Sequence, residues 1–252
     1  MKLRDFLAIA FVLVMCGICV RLGFWQLDRL AQRRARNHAI EAAGRMPVLA
    51  WDAATAEAIE RDPRRFVNRR LRATGTFDPA GEVVLRGRAY DGTPGVHLVT
   101  PLVVPGVPRA LLVNRGWVPS PDAATVDARR FAEPGGRTVE GVLQEVPRGT
   151  RNGGQPARTA SGATTYLRLD LDVLRRGEPH PIASLYLQQL STADSATRLP
   201  VRVPLPPAGN GPHLSYAVQW FSFAIIGVVG LIVVALRRRG DVSPTRHQPG
   251  EC

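Results

Sequence analysis

Within this chain of 252 residues, one stretch brings together side chains that do chemistry: GPHLSYAVQWFSFA, residues 211–224. His213, Tyr216, Trp220 and Phe223 stand at i, i+3, i+7 and i+10, so a helix would carry them on one face. Gln219 lies close to that stripe. From the residues alone two readings stay open. A belt of aromatics at a membrane interface accounts for Tyr216 and Trp220. It accounts less well for His213 and Gln219, because polar groups at membrane depth usually have a partner.

Other groupings are weaker. Cys16-Gly-Ile-Cys19 has the spacing of a redox dithiol but lies in an apolar run, where a thiolate is costly. Small helix-packing residues explain it better. Asp170 and Asp172 would point to opposite faces of a strand, a poor arrangement for an acid pair. Gly135-Gly136 and Gly153-Gly154 lack the surroundings of a phosphate loop, and neither GxSxG nor HExxH occurs. Three cysteines make no disulfide framework, and five scattered histidines make no zinc-type cluster. Nothing here points to a hydrolase or a transferase, and the chain is not expected to be an enzyme.

The elements that must position the 211–224 stretch follow from hydropathy. Residues 6–20 carry no charge, and extension to Trp25 gives a helix of about 30 Å, enough to span a bilayer. Arg21 would snorkel to the headgroups and Trp25 would sit at the interface. A signal peptide would need a small-x-small cleavage site after the apolar run, and none is present. Residues 214–236 make a second helix of about 35 Å, closed by Arg237, Arg238 and Arg239. Arginines near the helix ends are almost balanced between the two sides, so the positive-inside rule does not settle orientation. The formal net charge is +12, and Lys2 is the single lysine among 33 basic residues. Because the arginines cluster at membrane exits, membrane lipid is the expected partner and nucleic acid is not.

Between the spans the pattern is β-rich. Short runs at 70–77, 82–88, 96–104, 110–118, 138–144 and 185–190 are bounded by Gly, Pro or Asp, as strands of an antiparallel sheet or small barrel would be. Residues 27–43 should prolong the first helix. Helices are also expected at 51–60, with Asp52 as N-cap, at 121–132 and at 169–176. Residues 149–162 read as a loop and the C-terminal residues as a polar tail. The expected fold class is therefore an α+β membrane protein. Its two transmembrane helices flank a mainly antiparallel, barrel-like extramembrane domain. The expected boundaries are a short N-terminus at 1–5, span one at 6–25, the β-rich domain at 26–213, span two at 214–236 and the tail at 237–252.

Several segments in order also resemble the Surfeit locus protein 1 family, assembly factors of haem–copper cytochrome c oxidase. LGFWQLDRL (22–30) is similar to the family's segment after the first span. RATGTFDP (72–79), PGVHLVTPL (94–102) and ALLVNRGWVP (110–119) are similar to its strands. YLRLDL (166–171) and LYLQ (185–188) match weaker positions, and GPHLSYAVQWF (211–221) matches its second-span signature. The resemblance implies a bacterial inner-membrane protein with a periplasmic central domain and cytoplasmic termini. It implies a non-enzymatic part in maturing the oxidase's largest subunit, alongside the assembly machinery. It further implies haem a as a transient cofactor, with His213 as axial ligand to the haem iron and Tyr216 and Trp220 flanking the macrocycle. Arg115 is a weaker candidate, as a cation for a propionate or a partner subunit; the competing reading is a structural strand-end arginine. A scaffold that stabilises oxidase assembly intermediates without binding haem is the alternative function.

Overall fold

A computed structural model describes residues 3–149, 156–158, 164–177, 179–191, 198–206 and 209–240. The chain divides into two units, one made of Met1–Ala39 with Ala208–Cys252 and the other of Ile40–Pro207.

The first unit is built on two helices, α1 (Leu3–Arg45) and α4 (His213–Gly240). By length and composition both are apolar enough to cross a membrane. Only 11% of each apolar window is buried, so neither is the core helix of a globular domain. The residues withdrawn from the surface on α1 include Val12, Cys16, Cys19, Gly23, Gln26 and Leu30. Those on α4 include His213, Ala217, Trp220, Ala224, Gly227 and Leu231. Both sets step by four and three residues, the heptad rhythm of a left-handed helix pair. Small residues let the backbones approach. A Cβ on Gly23 would lie 2.6 Å from the Phe221 ring, and one on Gly227 2.5 Å from Cys16 Sγ. The Phe24 and Phe221 rings meet edge-on at 5.4 Å. Cys16 and Cys19 are thus seam residues, and Cys16 Sγ lies 3.5 Å from the Ala224 carbonyl. The tail expected to begin at 237 is still helical to Gly240; beyond that it lies outside the described residues.

The second unit is a mixed, mainly antiparallel sheet. Its strands are β1 (Leu49–Ala50), β2 (Arg70–Phe77), β3 (Val83–Tyr90), β4 (Thr93–Val103) and β5 (Ala110–Pro119), followed by β6 (Gly136–Glu145), β7 (Ala157–Arg158), β8 (Thr164–Tyr166) and β9 (Ile182–Gln189). Among the described residues the order is β1-β2-β6-β9-β5-β4-β3-β8-β7, and an additional β2–β4 pairing closes β2, β6, β9, β5 and β4 into a barrel. Strand β2 shows why. Its burial alternates strictly, with Leu71, Ala73 and Phe77 turned into the core and Arg70, Arg72 and Thr74 outward. On the outer face Glu140 of β6 accepts from both Arg70 and Arg72. Leu71 and Phe77 join Leu102, Leu111, Val113, Leu143, Leu185 and Leu187 in the main core. Helix α2 (Ala53–Arg61) adds Ile59 to that core; as expected, Asp52 caps it, Oδ1 accepting from the Thr55 amide at 2.7 Å.

Two local expectations need correction. The segment 121–132 holds a single 3-10 turn, Ala128–Phe131, rather than a helix. Asp122 Oδ1 accepts from Ala124 and Thr125 amides and from Ser120 Oγ, which diverts the backbone donors a helix would need. Asp170 is not a strand residue. It precedes helix α3 (Leu171–Gly177), and its Oδ1 accepts from the Asp172 and Val173 amides. Of the loop expected at 149–162, only residue 149 and residues 156–158 are among the described residues.

Candidate functional site

The site begins where α4 begins. Gly211 has φ +68°, which turns the chain into Pro212 and the first helical turn. The same glycine leaves room beside the imidazole: a Cβ there would lie 3.4 Å from His213 Nε2. His213 itself is half-buried. Its Nδ1 is 2.9 Å from Oε1 of Gln26 on α1. An amide oxygen only accepts, so Nδ1 carries the hydrogen, and in the neutral ring the lone pair is then on Nε2. Nε2 has no hydrogen-bond partner among the described residues. About three turns beyond Gln26 on α1, Asn37 Nδ2 donates to Asn210 Oδ1 at 3.2 Å, tying the approach to α4 back onto α1.

The aromatic neighbours divide. Trp220 lies on the helix seam and meets Phe223 edge-on at 6.0 Å, whereas Tyr216 is 47% exposed. Gln219 is exposed. The polar partner that the sequence demanded for this stretch is thus Gln26, which answers His213; sequence reasoning did not find it. A signal existed: Gln26 continues the four-three spacing of Cys16, Cys19 and Gly23. Beside His213 is a groove of about 360 Å³, lined also by Arg29, Gln32, Arg33 and Arg36.

Arg115 belongs to the barrel unit and has a different setting. Leu98 pairs with Gly116 and Val99 with Asn114, so Arg115 is the extra residue of a β-bulge. The bulge does not end the strand; β5 runs on to Pro119. The guanidinium is 2% exposed. Nε and Nη2 donate to Glu133 Oε1 at 3.2 and 3.0 Å, and Nη1 to Glu82 Oε2 at 2.8 Å and Thr100 Oγ1 at 3.2 Å. Nη2 also donates to the Phe131 carbonyl. All five donors are therefore engaged internally, which favours the structural reading over a propionate contact. Burial pushes the Glu82 carboxyl up despite Thr100 and Arg115. Burial also works on Glu133, but Arg202 and Arg115 outweigh it and hold that carboxyl below its ordinary value. A cavity of about 670 Å³ borders this network.

Two helices apolar enough to cross a membrane, flanking a barrel unit, fit the class of membrane proteins. Among the described residues no cluster of three His, Cys, Asp or Glu is placed to hold a metal ion. A model of the SURF1 family matches residues 13–225. An uncharacterised SURF1-like protein of Mycobacterium bovis is 30% identical over 272 residues, covering 97% of this chain and 91% of its own. A SURF1-like protein of Rickettsia felis is 26% identical over 238 residues, covering 92% and 97%. The chain belongs to the SURF1 family, an assembly-factor family linked in general to cytochrome oxidase assembly.

The residues at the head of α4 suit a haem iron. A neutral imidazole with its Nδ1–H fixed and its Nε2 open is a common axial donor, and the hydrogen bond to the far nitrogen orients such ligands.

Proposed function

We propose that the protein assists assembly of haem–copper cytochrome c oxidase by holding haem a for insertion into the largest subunit. His213 Nε2 would take the iron, Gln26 would hold the ring, and Tyr216 and Trp220 would offer aromatic surface to the macrocycle. A bound haem would supply an iron that takes a nitrogen donor and an apolar ring; the protein's share would be to orient the imidazole and shield one edge. The barrel unit would lie in the periplasm and the termini in the cytoplasm of a bacterial inner membrane, which places His213 near the periplasmic mouth of its span. The observation that carries this reading is the pairing of Gln26 with His213 Nδ1, because it leaves one ring nitrogen oriented and without a partner among the described residues. The test is an absorption spectrum of the full chain purified from cells that make haem a. A haem a Soret band is expected. A colourless protein that still co-purifies with oxidase subunits would replace this reading with the scaffold.

A further inference from the structure

We propose that Arg29, Arg33 and Arg36 complete the His213 site by binding the carboxylates of the ligand whose iron His213 holds; this rests on the haem reading above. The three arginines stand at i, i+4 and i+7 on α1, so they share one face. With Gln32 and His213 they line the groove of about 360 Å³. Arg29 is placed on two sides: Nη1 donates to Gln32 Oε1 at 3.1 Å, and the guanidinium lies 5.5 Å from the Trp25 ring centroid. Among the described residues, no carboxylate comes within ion-pair distance of any of the three. By contrast, Arg115 and Arg175 each have a glutamate.

Three cations sharing one groove without internal counter-charge repel one another, and an anion entering the groove relieves that repulsion. A guanidinium fork matches a carboxylate in two-point geometry. A haem presents one edge with two carboxylates, an apolar ring and an iron. The groove presents three guanidinium groups and the imidazole of His213, with the Trp25 ring against Arg29. Arg115, with its donors spent inside the barrel unit, is replaced in the propionate role by this ladder.

The test is a titration of the full chain in non-ionic detergent with ferric haem and with its dimethyl ester, followed at the Soret band. Wild type should bind haem about tenfold more tightly than the ester. The triple variant Arg29→Gln/Arg33→Gln/Arg36→Gln should bind both at the ester's level, with the Soret position unchanged because the iron ligand is intact. Excess phosphatidylglycerol should leave the wild-type preference in place. Equal binding of haem and ester by wild type, or a preference surviving in the triple variant, would overturn the proposal; a preference abolished by phosphatidylglycerol would assign the arginines to lipid phosphate. Failure of the underlying haem reading looks different, since His213→Ala would then titrate like wild type with both probes.

Discussion

His213 and Gln26 are 187 residues apart in sequence, yet Nδ1 of one lies 2.9 Å from Oε1 of the other. The pair sits at matching heptad positions of α1 and α4, so its geometry is set by the small residues that bring those helices close. Gln26→Leu keeps the bulk and removes the acceptor. The imidazole then loses what fixes its hydrogen and its rotation. Losing a hydrogen bond that orients a metal-binding imidazole typically weakens the centre about 10- to 100-fold. A haem titration of Gln26→Leu should show that weakening at normal membrane abundance; unchanged affinity would make the contact incidental to binding.

Gly116 has φ +121°, and a Cβ there would run into the Val201 carbonyl. Val201 also exchanges both backbone hydrogen bonds with Trp117, at 2.8 and 2.7 Å, so the two segments cannot separate cheaply. Gly116→Ala combines backbone strain of about 1–3 kcal/mol with that overlap. Melting of the purified chain should fall by about 2–4 °C for each kcal/mol, and steady-state level should fall with it. An unchanged melting temperature would show that the strand relaxes around the methyl group.

How far the sequence spoke can be judged from these positions. The alternation of Leu71, Ala73 and Phe77 announced β2, and Asp52 announced the start of α2, because both signals are local. The apolar lengths of the two helices were equally plain. Nothing local joins Gln26 or the arginine ladder to His213, since the junction depends on pairing the two chain ends in antiparallel register. The internal setting of Arg115 is hidden in the sequence for a related reason. A bulge is one extra residue, and no period in the sequence shows which partner strand will skip a step.

Arg115 should therefore matter to stability rather than to ligand colour. Arg115→Leu leaves Glu82 without its cation in a buried place and Glu133 with Arg202 alone. Breaking a buried pair from one side costs about 3–5 kcal/mol. Denaturant unfolding should register a loss of that order. The fraction that remains folded should bind haem as wild type does. Full stability with lost haem binding would return Arg115 to the propionate role.

His97 supplies a pH dependence in the barrel unit. Burial, with Arg88 adding to it, pushes its imidazole down to about 4. The neutral ring accepts at Nδ1 from Asn114 Nδ2, 3.2 Å away, a contact that a protonated ring would oppose. The unfolded chain takes the proton near 6.5. Stability from this group is thus fully present above 6.5 and is lost as pH falls towards 4, by at most about 3 kcal/mol. Melting of wild type should drop across that window, and His97→Gln should flatten the drop; an equal slope in both would place the acid sensitivity in other groups.

His213→Ala separates holding a ligand from holding a fold. The residue opens α4 behind Pro212, which suits a first helical turn because its missing N–H is not needed there. The helix pair does not rest on it: the seam is fastened by Gly23 against Phe221, Phe24 against Phe221 and Cys16 against Ala224. Losing the imidazole removes one hydrogen bond to Gln26, which is half-buried and can turn to water. That costs about 1 kcal/mol, small beside what the seam contributes. Losing Nε2 removes the donor proposed for the iron, and no neighbouring side chain in the groove replaces it, since arginine and glutamine are poor ligands for haem iron. The variant should therefore reach the membrane at wild-type abundance, carry little haem a after purification, and lower mature oxidase activity in cells. If it keeps a wild-type haem spectrum and supports full oxidase activity, His213 serves the interface alone and the iron has another ligand.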